Sequence, residues 1–195
     1  MRDGVTMRTS DVEILMVPGW TGSGPDHWQS RWMQRLKSAR LVRQDDFDVV
    51  HRAKWTSRLL EQIAAATKPI VLVAHSCGVA TIAHATQHLR DGKVVGAFLV
   101  APASEEATRR IPGVDPDFTP FPREPLPFPS WMVASQNDPH CTFEEAGDLA
   151  NCWGSKLLDA GNAEHLNTAS GHGPWPEGAL QFGMFLKQLG NVDAG

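Results

Sequence analysis

Ile70-Val71-Leu72-Val73-Ala74-His75-Ser76-Cys77-Gly78-Val79-Ala80 is the stretch that decides how this chain folds. Its unbroken apolar start reads as a strand buried on both faces. The run stops at His75-Ser76 and small residues follow, which predicts a tight turn feeding a helix. The segment matches the nucleophile-elbow pattern G-x-S-x-G, with Ala74 at the first Gly. Such an elbow lifts a hydroxyl out of a sheet and points it into a cleft, so Ser76 is the candidate nucleophile. A serine hydroxyl is weak at neutral pH. It needs a base, a carboxylate to orient that base, and donors for an oxyanion.

Working outward, strands alternate with helices. Val12 to Val17 is short, apolar and followed by Pro-Gly, as a buried strand would be. Asp26-His27-Trp28-Gln29 opens a helix, with Asp26 as the expected cap and Gln29 at the capping-box position. Trp28, Trp32 and Leu36 share one face of it. Arg40 to Arg43 is a short strand, and Trp55, Leu59, Leu60 and Ile63 mark a second amphipathic helix. Val94 to Val100, Ser130 to Ser135 and Lys156 to Asp159 are further strands. Thr142 with Glu145 caps a helix to about Asn151. Pro176 suits the first turn of a last helix, which runs to Leu189. This order predicts an α/β fold of about six mostly parallel strands with helices on both faces. One domain is expected over residues 12–190, after a flexible tail at residues 1–11.

Composition narrows the function. The net charge is −4 and no basic stripe appears, which excludes nucleic acid as an expected partner. No apolar run approaches the roughly 20 residues of a membrane span, so no membrane partner is expected. The three cysteines, Cys77, Cys141 and Cys152, lack metal-type spacing and read as reduced thiols of a cytoplasmic protein. Oligomeric state, monomer or homodimer, is not legible.

One segment breaks the rhythm. Eight of the fourteen prolines lie between Ala101 and Ser130, which denies that stretch regular helix or central strand. It leaves the C-terminal end of a strand, the side where open parallel sheets bind ligands. Two readings stand level: Phe118, Phe121 and Phe128 wall a substrate cleft, or they cover the sheet edge.

In hydrolases with a sheet-borne elbow the chain order is Ser, acid, His. Asp138 follows the apolar strand Trp131 to Ala134 in a turn with Asn137 and Pro139, and Asp159 is its main rival. His165 and His172 both lie in the expected late loop. His165 is preferred because it follows the last strand closely. The oxyanion donors are expected to be the backbone N–H of Cys77 and of Trp20, the latter from the loop Pro18-Gly19-Trp20-Thr21-Gly22-Ser23-Gly24. The Trp20 side chain is also expected to line the substrate pocket. The glycines of this loop fit neither G-x-x-x-x-G-K-[ST] nor G-x-G-x-x-G, so no nucleotide site is expected. His84 and His88 stand one helical turn apart without an H-E-x-x-H pattern, and read as a solvated helix face with no metal. Cys77 contributes its backbone only.

Several of these segments together resemble one family. Pro18-Gly19-Trp20-Thr21-Gly22-Ser23-Gly24-Pro25-Asp26-His27-Trp28-Gln29 is similar to the opening motif of small serine hydrolases related to the retinoblastoma-binding hydrolase and bacterial YdeN-like proteins. Ala74-His75-Ser76-Cys77-Gly78, Asn137-Asp138-Pro139, His165-Leu166-Asn167 and the segment from Ser170 to Gly178 match in the family's order. The resemblance implies a compact α/β-hydrolase fold without a large cap domain. It implies a triad of Ser76, Asp138 and His165, and esterase-like or amidase/aminopeptidase-like cleavage of a small acyl substrate. Acyl transfer through such a triad requires no metal or organic cofactor, so none is expected. The alternative is a binding scaffold that keeps the fold for recognition.

Overall fold

Six strands form a single parallel sheet in the computed structural model, which describes residues 7–89 and 92–192. In chain order the strands are β1 (Glu13–Val17), β2 (Ala39–Leu41), β3 (Ile70–His75), β4 (Val94–Val100), β5 (Ser130–Ala134) and β6 (Lys156–Asp159). Across the sheet they run β2-β1-β3-β4-β5-β6. The helices are α1 (Trp28–Arg35), α2 (Arg52–Ala65), α3 (Cys77–Thr86), α4 (Glu105–Arg109), α5 (Phe143–Trp153) and α6 (Pro176–Val192). Residues 1–6 of the expected tail lie outside the described residues. Ser10 accepts a hydrogen bond from Lys68 Nζ through its carbonyl, at 2.7 Å.

Successive strand residues point to opposite faces, so each strand feeds two cores. Leu15, Leu72, Leu99 and Met132 pack with Trp55 and Leu59 of α2, Ile82 of α3 and Leu149 of α5. Ile14, Met16, Val71, Val73, Phe98 and Val133 pack with Trp28 and Trp32 of α1 and with Phe182 and Phe185 of α6. Each such side chain, fully buried, contributes about 1.5–3 kcal/mol. The helices therefore cover both faces, as the strand sequences require.

The register aligns the strand ends. Val17 pairs with Ala74, His75 with Val100, Val100 with Val133, and Ala134 with Asp159. The loops after β1, β3, β5 and β6 thus leave from one edge of the sheet.

Local capping differs from expectation at one helix. The Thr142 capping box with Glu145 is present. For α1 the cap is His27, whose Nδ1 accepts the Gln29 N–H at 3.2 Å, while Asp26 pairs with Arg31 at 2.9 Å. Asp26 sits one residue too early, and its carboxylate finds a cation on the next turn.

Candidate active site

The elbow is built by a strained serine and a glycine. Ser76 has φ 54° and ψ −127°, a region costly for an L residue by about 1–3 kcal/mol. A Cβ at Gly78 would stand 2.7 Å from the Pro18 carbonyl oxygen and closer still to that of Val17. Only glycine lets α3 start this close to the end of β1. The strain is not confined to Ser76. The other non-glycine residues with positive φ, among those described, are Thr21, Ala101, Glu164 and Leu166. Thr21 lines the cleft with Ser76, Ala101 follows β4, and Glu164 and Leu166 flank His165.

Asp138 and His165 meet as the chain order predicts. The Nδ1–H of His165 faces both carboxylate oxygens of Asp138, at 2.9 and 3.0 Å. Both side chains are almost wholly buried, at 9% and 2% exposed for His165 and Asp138 respectively. Asp138 also accepts the backbone N–H of His140 at 2.8 Å, which fixes its carboxylate from a second side. With Nδ1 engaged, Nε2 of His165 is left as the proton acceptor. Asp159 instead accepts hydrogen bonds from Gln136 and from the Gly161 backbone, and His172 bonds Ser170. Neither rival reaches the other members of the site.

Ser76 and His165 line one open cleft of about 790 Å³. Trp20, Cys77, His27, His75 and His140 share its wall. Cys77 is the first residue of α3, so its N–H has no acceptor within the helix and carries the positive end of the helix dipole. The loop after β1 presses against the elbow: a Cβ on Gly19 would lie 2.7 Å from Ser76 Cβ and 3.2 Å from Cys77 N. Trp20 is 40% exposed, and its indole N–H donates to the Asp48 carbonyl at 3.1 Å. Burial pushes the Cys77 thiol up to about 11, against the pull of the Trp20 backbone N–H. It is thus a protonated thiol at neutral pH.

The proline-rich segment divides between the two readings. Its start walls the cleft through Ala103, Ala107, Arg110, Ile111 and Pro112, on and around α4. Phe118 and Phe121, expected to line the substrate site, do not line this cleft. Both are buried in the core with Phe128, their rings against Trp55 and His84. His84 is buried too, and its Nε2–H donates to the Phe118 carbonyl at 2.9 Å, so it is not on a solvated face. No group of His, Cys, Asp or Glu among the described residues is arranged to hold a metal ion.

Comparison with known proteins places the chain. A family model described as serine hydrolase matches residues 14–184. The chain belongs to this serine hydrolase family. A YdeN-like hydrolase from Pectobacterium atrosepticum is similar over 93% of this chain and 94% of that one, at 31% identity and a TM-score of 0.82. The ydeN product of B. subtilis is similar over 89% and 98%, at 19% identity and 0.71. A metagenomic carboxyl esterase, MGS0156, shares the fold over 92% and 76%, at 15% identity and 0.64. A comparison with curated proteins gives no match. The chain is thus a small α/β-hydrolase with no large cap evident, and no described helix is long and apolar enough to cross a membrane.

Several residues that build this site carry no sequence signal for it. Gln29 was expected only as a capping residue. It is buried, and its amide donates to the Val73 carbonyl at 3.1 Å while accepting the Ser23 hydroxyl at 2.6 Å. It ties the loop after β1 to the elbow strand. Three further histidines surround His165. The rings of His75 and His140 lie 4.8 and 4.5 Å from its ring, and His27 lies 4.8 Å from His75. Burial, then repulsion from His165 when that ring is protonated, pushes His27 down to about 4, and burial holds His75 well below its ordinary value. Both rings are neutral at pH 7.

Proposed function

We propose that this protein hydrolyses acyl esters or amides through an acyl-enzyme on Ser76. The observation that carries this reading is the buried, two-oxygen contact of Asp138 with His165 Nδ1, on the same cleft as a strained Ser76. His165 Nε2 takes the proton of Ser76 as Oγ attacks the acyl carbonyl carbon. Asp138 keeps the productive tautomer and stabilises the imidazolium that forms. The backbone N–H groups of Trp20 and Cys77 receive the oxyanion; losing one such donor costs about 3–4 kcal/mol of transition-state stabilisation. The imidazolium returns its proton to the leaving alkoxide or amine. Water, deprotonated by the same Nε2, then attacks the acyl carbon and frees Ser76.

The cleft wall supports a substrate class. Ala103, Ala107, Ile111, Pro112 and the exposed face of Trp20 offer an apolar lining for a small acyl group. Free Cys77, Cys141 and Cys152 agree with a cytoplasmic setting. The test is hydrolysis of a panel of p-nitrophenyl esters and aminoacyl anilides by the wild type and by Ser76→Ala. The proposal expects turnover of short apolar acyl substrates by the wild type only. A Ser76→Ala protein with full activity, or a folded wild type inert on the whole panel, contradicts it. The latter result favours the binding scaffold.

A further inference from the structure

The loop that carries His165 has an unusual backbone. Glu164 and Leu166, on either side of it, have φ 48° and 47°. Neither is glycine, so contacts from outside must hold the two bends. Four side chains supply them. The Ser135 hydroxyl accepts the Ala163 N–H at 2.9 Å, and the Asn137 side-chain oxygen accepts the Glu164 N–H at 2.8 Å. Trp28 donates its indole N–H to the Leu166 carbonyl at 2.9 Å. The carbonyl of His165 itself is met by Nε2 of His75, at 2.9 Å. A carbonyl only accepts, so His75 carries its proton on Nε2.

This last contact differs from the others in where it starts. His75 is the last residue of β3 and the immediate neighbour of Ser76. Its ring is buried between the rings of His27 and His165. We infer that His75 is a positioning residue: by donating to the His165 carbonyl it sets the span between the nucleophile and its base. The link bypasses the 89 intervening residues with one hydrogen bond. Two features suit it to this work. Burial keeps the ring neutral, so no second cation stands beside the imidazolium that forms on His165. The donor is a rigid ring on the last residue of β3, directly before Ser76.

The inference rests on the proposed triad. Its test compares His75→Phe, His75→Gln and His75→Asn with the wild type and with Ser76→Ala, on one activated ester. Phe fills the ring's space without a donor. The Gln amide nitrogen overlays the position of Nε2, whereas that of Asn overlays Nδ1. A misplacement of about 1 Å between reacting groups costs on the order of 100-fold. We expect His75→Phe to lose roughly 10- to 100-fold in kcat with KM within about threefold. His75→Gln recovers most of the loss, and His75→Asn does not. Where His75→Phe fails to fold, the Gln and Asn pair gives the same contrast. Unchanged kcat in His75→Phe, or equal losses in Gln and Asn, overturns the inference while leaving the triad standing. Activity retained in Ser76→Ala overturns the triad, and the inference with it.

Discussion

Asp138 faces His165 Nδ1 with both carboxylate oxygens, and water reaches neither group freely. A carboxylate there requires the proton on Nδ1 and leaves Nε2 free to accept one. Asn in its place presents an amide that stabilises the wrong tautomer and cannot compensate an imidazolium. Asp138→Asn is expected to keep the fold and to lose about 10⁴-fold in kcat, the size of effect seen for the corresponding change in other serine hydrolases. Steady-state kinetics with a p-nitrophenyl ester, alongside a circular-dichroism melt, measures both. A loss below about tenfold removes Asp138 from the mechanism.

Gly19 and Gly78 permit the close approach of the loop after β1 to the elbow, but at different depths. At Gly78 a methyl group meets the backbone oxygens of Val17 and Pro18, which cannot move without parting β1 from α3. Overpacking of this kind costs about 1–3 kcal/mol or more. At Gly19 the methyl group crowds Ser76 Cβ and the space in front of the Cys77 N–H. Gly78→Ala is therefore expected to fail chiefly in stability. Gly19→Ala is expected to stay folded and to lose roughly 100-fold in kcat. Urea unfolding and kcat on the same preparations separate the two outcomes.

The buried histidines make stability depend on pH. Unfolded His27 binds a proton near 6.5, whereas the folded residue resists protonation down to about 4. Below pH 6.5 the unfolded state therefore holds more protons, and stability falls as pH falls. His27 alone accounts for roughly 3 kcal/mol between pH 6.5 and 4. His75 adds loss of the same sign. His27→Asn keeps a capping oxygen near Nδ1 and removes the titration. Its unfolding free energy is expected to drop less between pH 7 and pH 5 than that of the wild type. Equal drops would show that His27 is not a buried neutral base.

Cysteine chemistry offers a simple check on the elbow. Burial pushes Cys77 up to about 11 and Cys141 up to about 12, so neither supplies thiolate at neutral pH. Native protein treated with iodoacetamide at pH 7 is expected to keep whatever hydrolytic activity the untreated protein shows, with both residues unmodified by peptide mass. Rapid alkylation of Cys77 with loss of activity would assign the elbow's chemistry to the thiol.

Much of the candidate site was legible because the elbow, the candidate acid and the candidate base each follow a strand in fixed chain order. The short runs around Ser76, Asp138 and His165 carry that order locally. The supports were not legible, since they are contacts between distant residues. Trp28 reaches Leu166 across 138 positions, and nothing in the periodicity of Trp28 and Trp32 separates an indole that packs from one that donates. Gln29 looked like a cap because capping and burial against strand ends use the same residue at the same place. Phe118 and Phe121 fit cleft wall and core equally well as letters. The fold resolves it: Ala103, Ala107, Arg110, Ile111 and Pro112 line the cleft, while Phe118, Phe121 and Phe128 join the core.

The central claim is that Ser76 is a nucleophile activated by His165. A fluorophosphonate probe, followed by peptide mass mapping, addresses it without knowledge of the substrate. Stoichiometric labelling at Ser76, abolished by Ser76→Ala and strongly slowed by His165→Ala, is the result this account predicts. A folded protein that stays unlabelled, or that is labelled at another residue, would contradict it.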